Sequence, residues 1–284
     1  MLHQLLKAGP ELQGLEIGYP GMKIRTAQLA TKLCGLLCIT LTLGACATRL
    51  PEPAQEVVAL ASSPWAVASS GTAGPAPWQH QLFPGKRPND YRYMRLDGRE
   101  TMVVRADASV SLLRQTVRVE PSDLGNLSFS WKVPSLLPAA DMRERELDDS
   151  PVRIVLAFEG DRSKFSARDA MLSELAHALT GEPMPYATLM YVWCIYLPPG
   201  TVLQNSRTSR IRKLVMESGP GKLGQWQDYA RDVRADFERA YGEAPGALVS
   251  VGIMTDTDNT RSSTIAWYGP VRHVLAAQPA RALP

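Results

Sequence analysis

The sequence predicts a mainly β domain, an antiparallel sandwich or jelly roll, and three observations carry that expectation. From Tyr91 onward short apolar bursts recur (MVVRA, SLLRQTVRV, LSFSWKV, VRIVLAF, ATLMYVWCIYL, RIRKLVM, LVSVGIMTD), separated by Gly, Pro and Asp/Asn clusters. Within LSFSWKV, Leu127, Phe129, Trp131 and Val133 alternate with Ser128, Ser130 and Lys132, as a strand with one core face and one wet face requires. No internal repeat is visible, and roughly 190 residues from 89 to 276 are ample for one sandwich core.

Residues 1–21 precede a better-placed start at Met22 and read as an over-extended beginning. Residues 22–45 read as a signal peptide: Lys23, Arg25 and Lys32 lead an apolar run from Leu33 to Leu43, and Leu43-Gly44-Ala45-Cys46 resembles a lipobox. That run is shorter than the ~18–20 residues a retained membrane helix needs. Cys46 is therefore the expected lipidation site, and the membrane, reached through the lipid, is an expected partner. Ala47, where an inner-membrane retention signal would place Asp, points to the outer membrane facing the periplasm. Residues 46–88, rich in Pro, Ala, Ser and Gly, are expected to form a tether, with the domain at 89–276 and a tail at 277–284.

Charge and cysteines narrow the function classes. The chain carries +3, and residues 1–45 hold four cations against two acids, so the mature part is expected to carry +1. That balance gives no reason to expect nucleic acid. Cys34 and Cys38 would leave with the signal and Cys46 would be acylated, leaving Cys194 as a lone thiol and no disulfide framework.

Two helices are expected to interrupt the strands. The first runs from about Ala167 to Leu179, with Ser166 as cap and a stripe of Met171, Leu172, Leu175 and Leu179. The second runs from about Trp226 to Tyr241, where Trp226, Tyr229, Val233, Phe237 and Ala240 recur at three and four and should lie on the sheet.

Taken in order, LSFSWKVP, DDSPVRIVLAFEG, TLMYVWC, GQWQDYARDVRADFERAYGEAPG and VSVGIMTDTDNTRSSTIAWYG resemble the bacterial domain-of-unknown-function family numbered 3047, over most of residues 90–275. The resemblance implies a jelly roll of the galactose-binding type with the two helices inserted. It implies no catalytic residue, because the family's activity is unassigned.

Several motifs bear on chemistry. GPGKLG at 219–224 matches the dinucleotide fingerprint, but the surrounding strands alternate instead of forming buried parallel units, so a loop is the simpler reading. MTDTDNT gathers hard oxygen donors, and Asp256, Asp258 and Asn259 are the candidate ligands of a structural calcium, no other cofactor being expected. The simpler alternative is a turn in which those side chains bond their own backbone. Tyr191, Trp193 and Trp267 are the candidate ligand-binding aromatics, since a pyranose stacks on an aromatic plane, although core packing is the commoner fate of such residues. Cys194 lies in an apolar run, and His80, His177 and His273 show no catalytic or zinc spacing.

With no catalytic motif, the first functional expectation is a non-enzymatic module that binds a glycan or another envelope component through the wet face of its sheet. The alternatives are an envelope glycan hydrolase using carboxylates among Asp148, Asp149, Asp256 and Asp258, and a structural lipoprotein whose partner is protein.

Overall fold

The computed structural model describes residues 59–69 and 77–274. Cys46 and the expected signal peptide lie outside the described residues. In chain order the strands are β1 (Trp78–Gln81), β2 (Asp90–Leu96), β3 (Arg99–Asp107), β4 (Val110–Val119), β5 (Asn126–Lys132), β6 (Ser150–Phe158) and β7 (Ala187–Cys194). They are followed by β8 (Val202–Gln204), β9 (Ile211–Ser218), β10 (Trp226–Asp232), β11 (Leu248–Asp256), β12 (Ser263–Tyr268) and β13 (Arg272–Val274). The helices are α1 (Pro64–Ala68), α2 (Ala167–Thr180) and α3 (Val233–Tyr241).

Seven strands form one sheet in the order β1-β4-β11-β6-β7-β9-β8, and six form the other in the order β10-β5-β12-β3-β2 with β13 beside β5. All pairs are antiparallel except β7 with β9. The result is the expected mainly β sandwich of the jelly-roll kind. Its core lies between the sheets, where Phe129 of β5 stacks on Tyr191 of β7 at 5.4 Å between ring centroids. Tyr268 of β12 reaches across to donate its hydroxyl to the Met254 carbonyl at 2.7 Å.

Both faces of the two central strands β6 and β7 are covered. On the second face Val155, Met190, Val192, Val215 and Met254 form a separate apolar cluster with Met142, and Phe83, Leu197 and Leu203 pack against it. This is why VRIVLAF and TLMYVWC are continuously apolar whereas the outer strands alternate.

Three expectations are corrected. The stretch 46–88 is not all tether: Trp65 of α1 is fully buried, packs on Trp78 of β1 at 4.7 Å, and β1 pairs with β4. Pro-rich composition hid two tryptophans that together bury a large apolar area. Residues 226–232 are a strand, not the first half of a helix; they pair with β5 along its whole length, and Asp232 then caps α3 by accepting from the Ala235 amide. The positions Val233, Phe237 and Ala240 are buried as expected.

Helix α2 begins at Ser166 and ends at Gly181 in the left-handed conformation, as such caps do. Its stripe, however, faces outward, with Met171, Leu175 and Leu179 each more than half exposed. The helix is held instead by its polar edge: Asp169 accepts from Thr208 and Ser209, and Ser173 accepts from Arg162.

Candidate functional site

The wet face predicted for β5 belongs to the six-stranded sheet. Trp131 pairs with Tyr268, both fully buried, so their neighbours Lys132 and Trp267 point outward. Lys132 also pairs with Trp226 of β10. Directly paired residues share a face, so Trp226, Lys132 and Trp267 form one outward row across three strands.

The β2–β3 hairpin folds its tip over this row. Asp97 and Gly98 both have positive φ, 51° and 76°, the geometry of a two-residue turn of the primed type. Asp97 accepts from the Lys132 ammonium at 2.9 Å and from the Trp226 indole N–H at 2.9 Å. Those two donors hold its carboxyl below the usual carboxylate range. Arg99 bonds both oxygens of Asp228, and its guanidinium lies 5.0 Å over the Trp226 ring. One face of Trp226 is thus occupied, while Trp267 is only half-buried.

Beside the tip a groove of about 490 Å³ opens on the same face, lined by Arg99, Glu100, Ser128, Ser130, Asp228 and Arg272 among others. Gly269 brings its chain so close to β5 that a Cβ there would lie 2.0 Å from the Ser130 hydroxyl, which sets the position of that lining residue. Such a mixture of hydroxyls, carboxylates and guanidinium groups beside an indole can hydrogen-bond a polyol and stack one face of it. Sequence reasoning named Trp267 but missed Asp97, Arg99 and Asp228. The Asp-Gly pair between alternating runs was the available signal for the hairpin.

The other two aromatics named from the sequence are core residues, a correction. Tyr191 is fully buried and donates to Asp236 at 2.8 Å; burial, then the Asp236 charge, pushes its hydroxyl pKa far up. Trp193 is 1% exposed and donates its indole N–H to the Gly219 carbonyl at 3.0 Å. Both sit on β7, which has no wet face. GPGKLG is a loop joining β9 to β10, with no helix behind it. Cys194 is buried, His177 is exposed on α2, and His80 lies against Ser111.

The acidic residues converge elsewhere, at the start of β6 and the end of β11. Asp148 accepts from Arg153 at 3.3 Å, from Asn205 at 3.4 Å and from the Lys213 ammonium. Arg153 also meets Asp256 at 3.0 Å. Asp149 accepts from the Asn259 amide at 3.3 Å and from the Thr260 amide at 2.8 Å, as well as from the Thr260 hydroxyl. Asn259 donates its side-chain amide to the Asp148 carbonyl at 3.3 Å.

Burial, reinforced by Asp149 and Asp148 against the pull of Arg153, raises the Asp256 carboxyl to about 7. Burial and then the Arg153 charge push the Lys213 pKa down. Asp149, Asp256 and Asp258 bring carboxylate oxygens within 4.8 Å of one another, so Asp149 joins two of the three residues read from the sequence as calcium ligands, and Asn259 beside them donates its side-chain N–H to the Asp148 carbonyl. Neither the groove above nor a second one of about 520 Å³, between β1 and the end of α2, is lined by Asp148, Asp149 or Asp256.

Comparison with known proteins gives one family. The model described as "Protein of unknown function (DUF3047)" matches residues 76–272. No curated protein matches the chain. Among solved structures, the chain is similar to the xyloglucanase domain of NopAA, a type three effector from Sinorhizobium fredii, at TM-score 0.39 and 9% identity, covering 72% of this chain and 100% of that one. It is similar also to endoglucanase 3 of family GH12 from Trichoderma harzianum, at TM-score 0.37 and 8% identity, covering 73% and 93%. The strand pairing itself, not this likeness, defines the fold.

Proposed function

This chain belongs to the DUF3047 family of proteins of unknown function, and we propose that its β-sandwich is a non-catalytic module that binds a glycan on the outer face of the six-stranded sheet. The observation that carries the reading is the half-buried Trp267 in one row with Lys132 and Trp226, beside a groove of hydroxyls and charged groups. A pyranose ring stacks its C–H face on the half-buried indole of Trp267. Its hydroxyls bond Asp228 and Arg99, which hold each other in place before the sugar arrives.

Cys46 carries the anchor in this reading, which tethers the module at the outer membrane toward the periplasm. Cys46→Ala is expected to move the protein from the membrane to the soluble fraction and to abolish labelling by an alkyne fatty acid. Retention of both would remove the anchor.

A hydrolase draws less support. Asp148 is clamped between Arg153 and Lys213, and Asp149 is tied to the 259–260 loop, which leaves neither free to attack or to activate water. The test is a glycan array followed by calorimetry on the best ligand, with Trp267→Ala and Tyr191→Phe compared. Trp267→Ala is expected to weaken binding at least about tenfold, the loss of roughly 1.4 kcal/mol, with an unchanged melt, while Tyr191→Phe leaves affinity alone. No ligand on the array, or equal binding by Trp267→Ala, sinks the reading, and release of reducing ends from a bound glycan sinks its non-catalytic half.

A further inference from the structure

The acidic cluster at the end of β6 and β11 is separate from the groove, and glycan binding makes no use of it. Asp149, Asp256 and Asp258 each offer a carboxylate oxygen, all within 4.8 Å of one another. Three carboxylates that close repel unless positive charge stands among them. Arg153 supplies some of it, on the Oδ2 side of Asp256. Lys86 meets Asp258 from outside, on the exposed segment between β1 and β2. Among the described residues Asp149 accepts from Asn259 and Thr260, both neutral, and its carboxyl faces that of Asp256.

One atom is left over. Asp256 is 9% exposed, and its Oδ1, shut off from solvent, has no hydrogen-bond donor among the described residues, while its carboxyl stands within hydrogen-bond reach of the Asp149 carboxyl. A buried carboxylate oxygen in that state calls for a partner. The donors at hand are all oxygens: three carboxylates from two chain segments, with neither sulfur nor imidazole in the group. That set suits a hard cation tolerant of irregular geometry, which describes Ca²⁺ better than Mg²⁺ or a transition metal.

We propose that Asp149, Asp256 and Asp258 bind one calcium ion, which fastens the start of β6 to the end of β11 and to the loop before β12. Lys86 is its competitor. Its side chain is 43% exposed, so the ammonium can leave Asp258 for water when the ion enters, whereas Arg153, 3% exposed, stays to neutralise Asp148 and the far side of Asp256.

The experiment uses the full-length chain, stripped with chelator and dialysed against radioactive calcium, with thermal melts in parallel. One calcium per chain is expected. At a hundred times its Kd the ion should raise the midpoint by about 5–10 °C. Asp258→Asn, which keeps the side-chain shape at a position only 12% exposed, should weaken calcium at least about tenfold. Lys86→Ala should tighten calcium about two- to fivefold, because the competing ammonium is gone. A merely structural Lys86–Asp258 ion pair would instead lower the chelator midpoint and leave affinity alone.

The proposal is overturned if the wild-type chain retains no calcium and its midpoint does not move, the partner of Asp256 then being a proton. It is overturned equally if Asp258→Asn binds calcium like the wild type, or if magnesium is retained and calcium is not.

Discussion

Lys213, its side chain 1% exposed, holds its ammonium against Asp148, which Arg153 also contacts. Taking away one member of such a buried group leaves the others with charge they cannot share, a loss of about 3–5 kcal/mol where it has been measured. Lys213→Met is therefore expected to lower the unfolding free energy by about 3 kcal/mol in urea, with an unchanged slope; a loss below about 1 kcal/mol would mean the network relaxes around the gap. Gly269 makes a second case. The Cβ of alanine would stand 2.0 Å from the Ser130 hydroxyl, so β5 or the 269 turn must shift. Gly269→Ala should cost about 1–3 kcal/mol and, since Ser130 lines the groove, weaken ligand binding as well. Neither contact could be read from the chain alone. The sequence names Asp148, Asp149, Asp256 and Asp258 as a chemical inventory, but nothing local says that Lys213 would be sealed among them.

Among the elements, α2 shows how a periodic pattern can be right about existence and wrong about direction. Its limits followed from Ser166 and Gly181, because caps are local chemistry. Its orientation did not, because the polar edge found fixed partners on the segment before β9 while the apolar stripe found none. Burial works against the Asp169 carboxylate, yet the hydroxyls of Thr208, Ser166 and Ser209 outweigh it and hold its pKa below the ordinary value. A depressed carboxyl stabilises the fold fully above its unfolded value, about 4, and the contribution fades as pH falls through the folded one. Asp169→Ala should thus cost about 2–3 kcal/mol at pH 7, speed hydrogen exchange along α2, and cost progressively less as the medium is acidified below pH ~4. Unchanged exchange in α2 would show that some other contact holds it. The 226–241 segment fails in the opposite way, since spacings of three and four happened to continue through a strand whose seven residues pair with β5.

For the whole molecule, the sandwich reaches further toward the N-terminus than composition suggested. Trp65 is fully buried against Trp78, although a Pro- and Ala-rich stretch surrounds both. Trp65→Ala should cost about 3–5 kcal/mol and lower the melting midpoint by roughly 10 °C, whereas a true tether residue would tolerate the change. The sequence by itself determined the mainly β class, the family and the two faces of β5, because alternation with period two is written residue by residue. Only the tertiary structure decided that β6 and β7 are covered on both sides, which sends Tyr191 and Trp193 into the core, and that the hairpin tip closes over Lys132 and Trp226. It alone brings Asp149 to Thr260, 111 positions away. The order in which strands meet is set by packing between distant segments, and no local pattern records it.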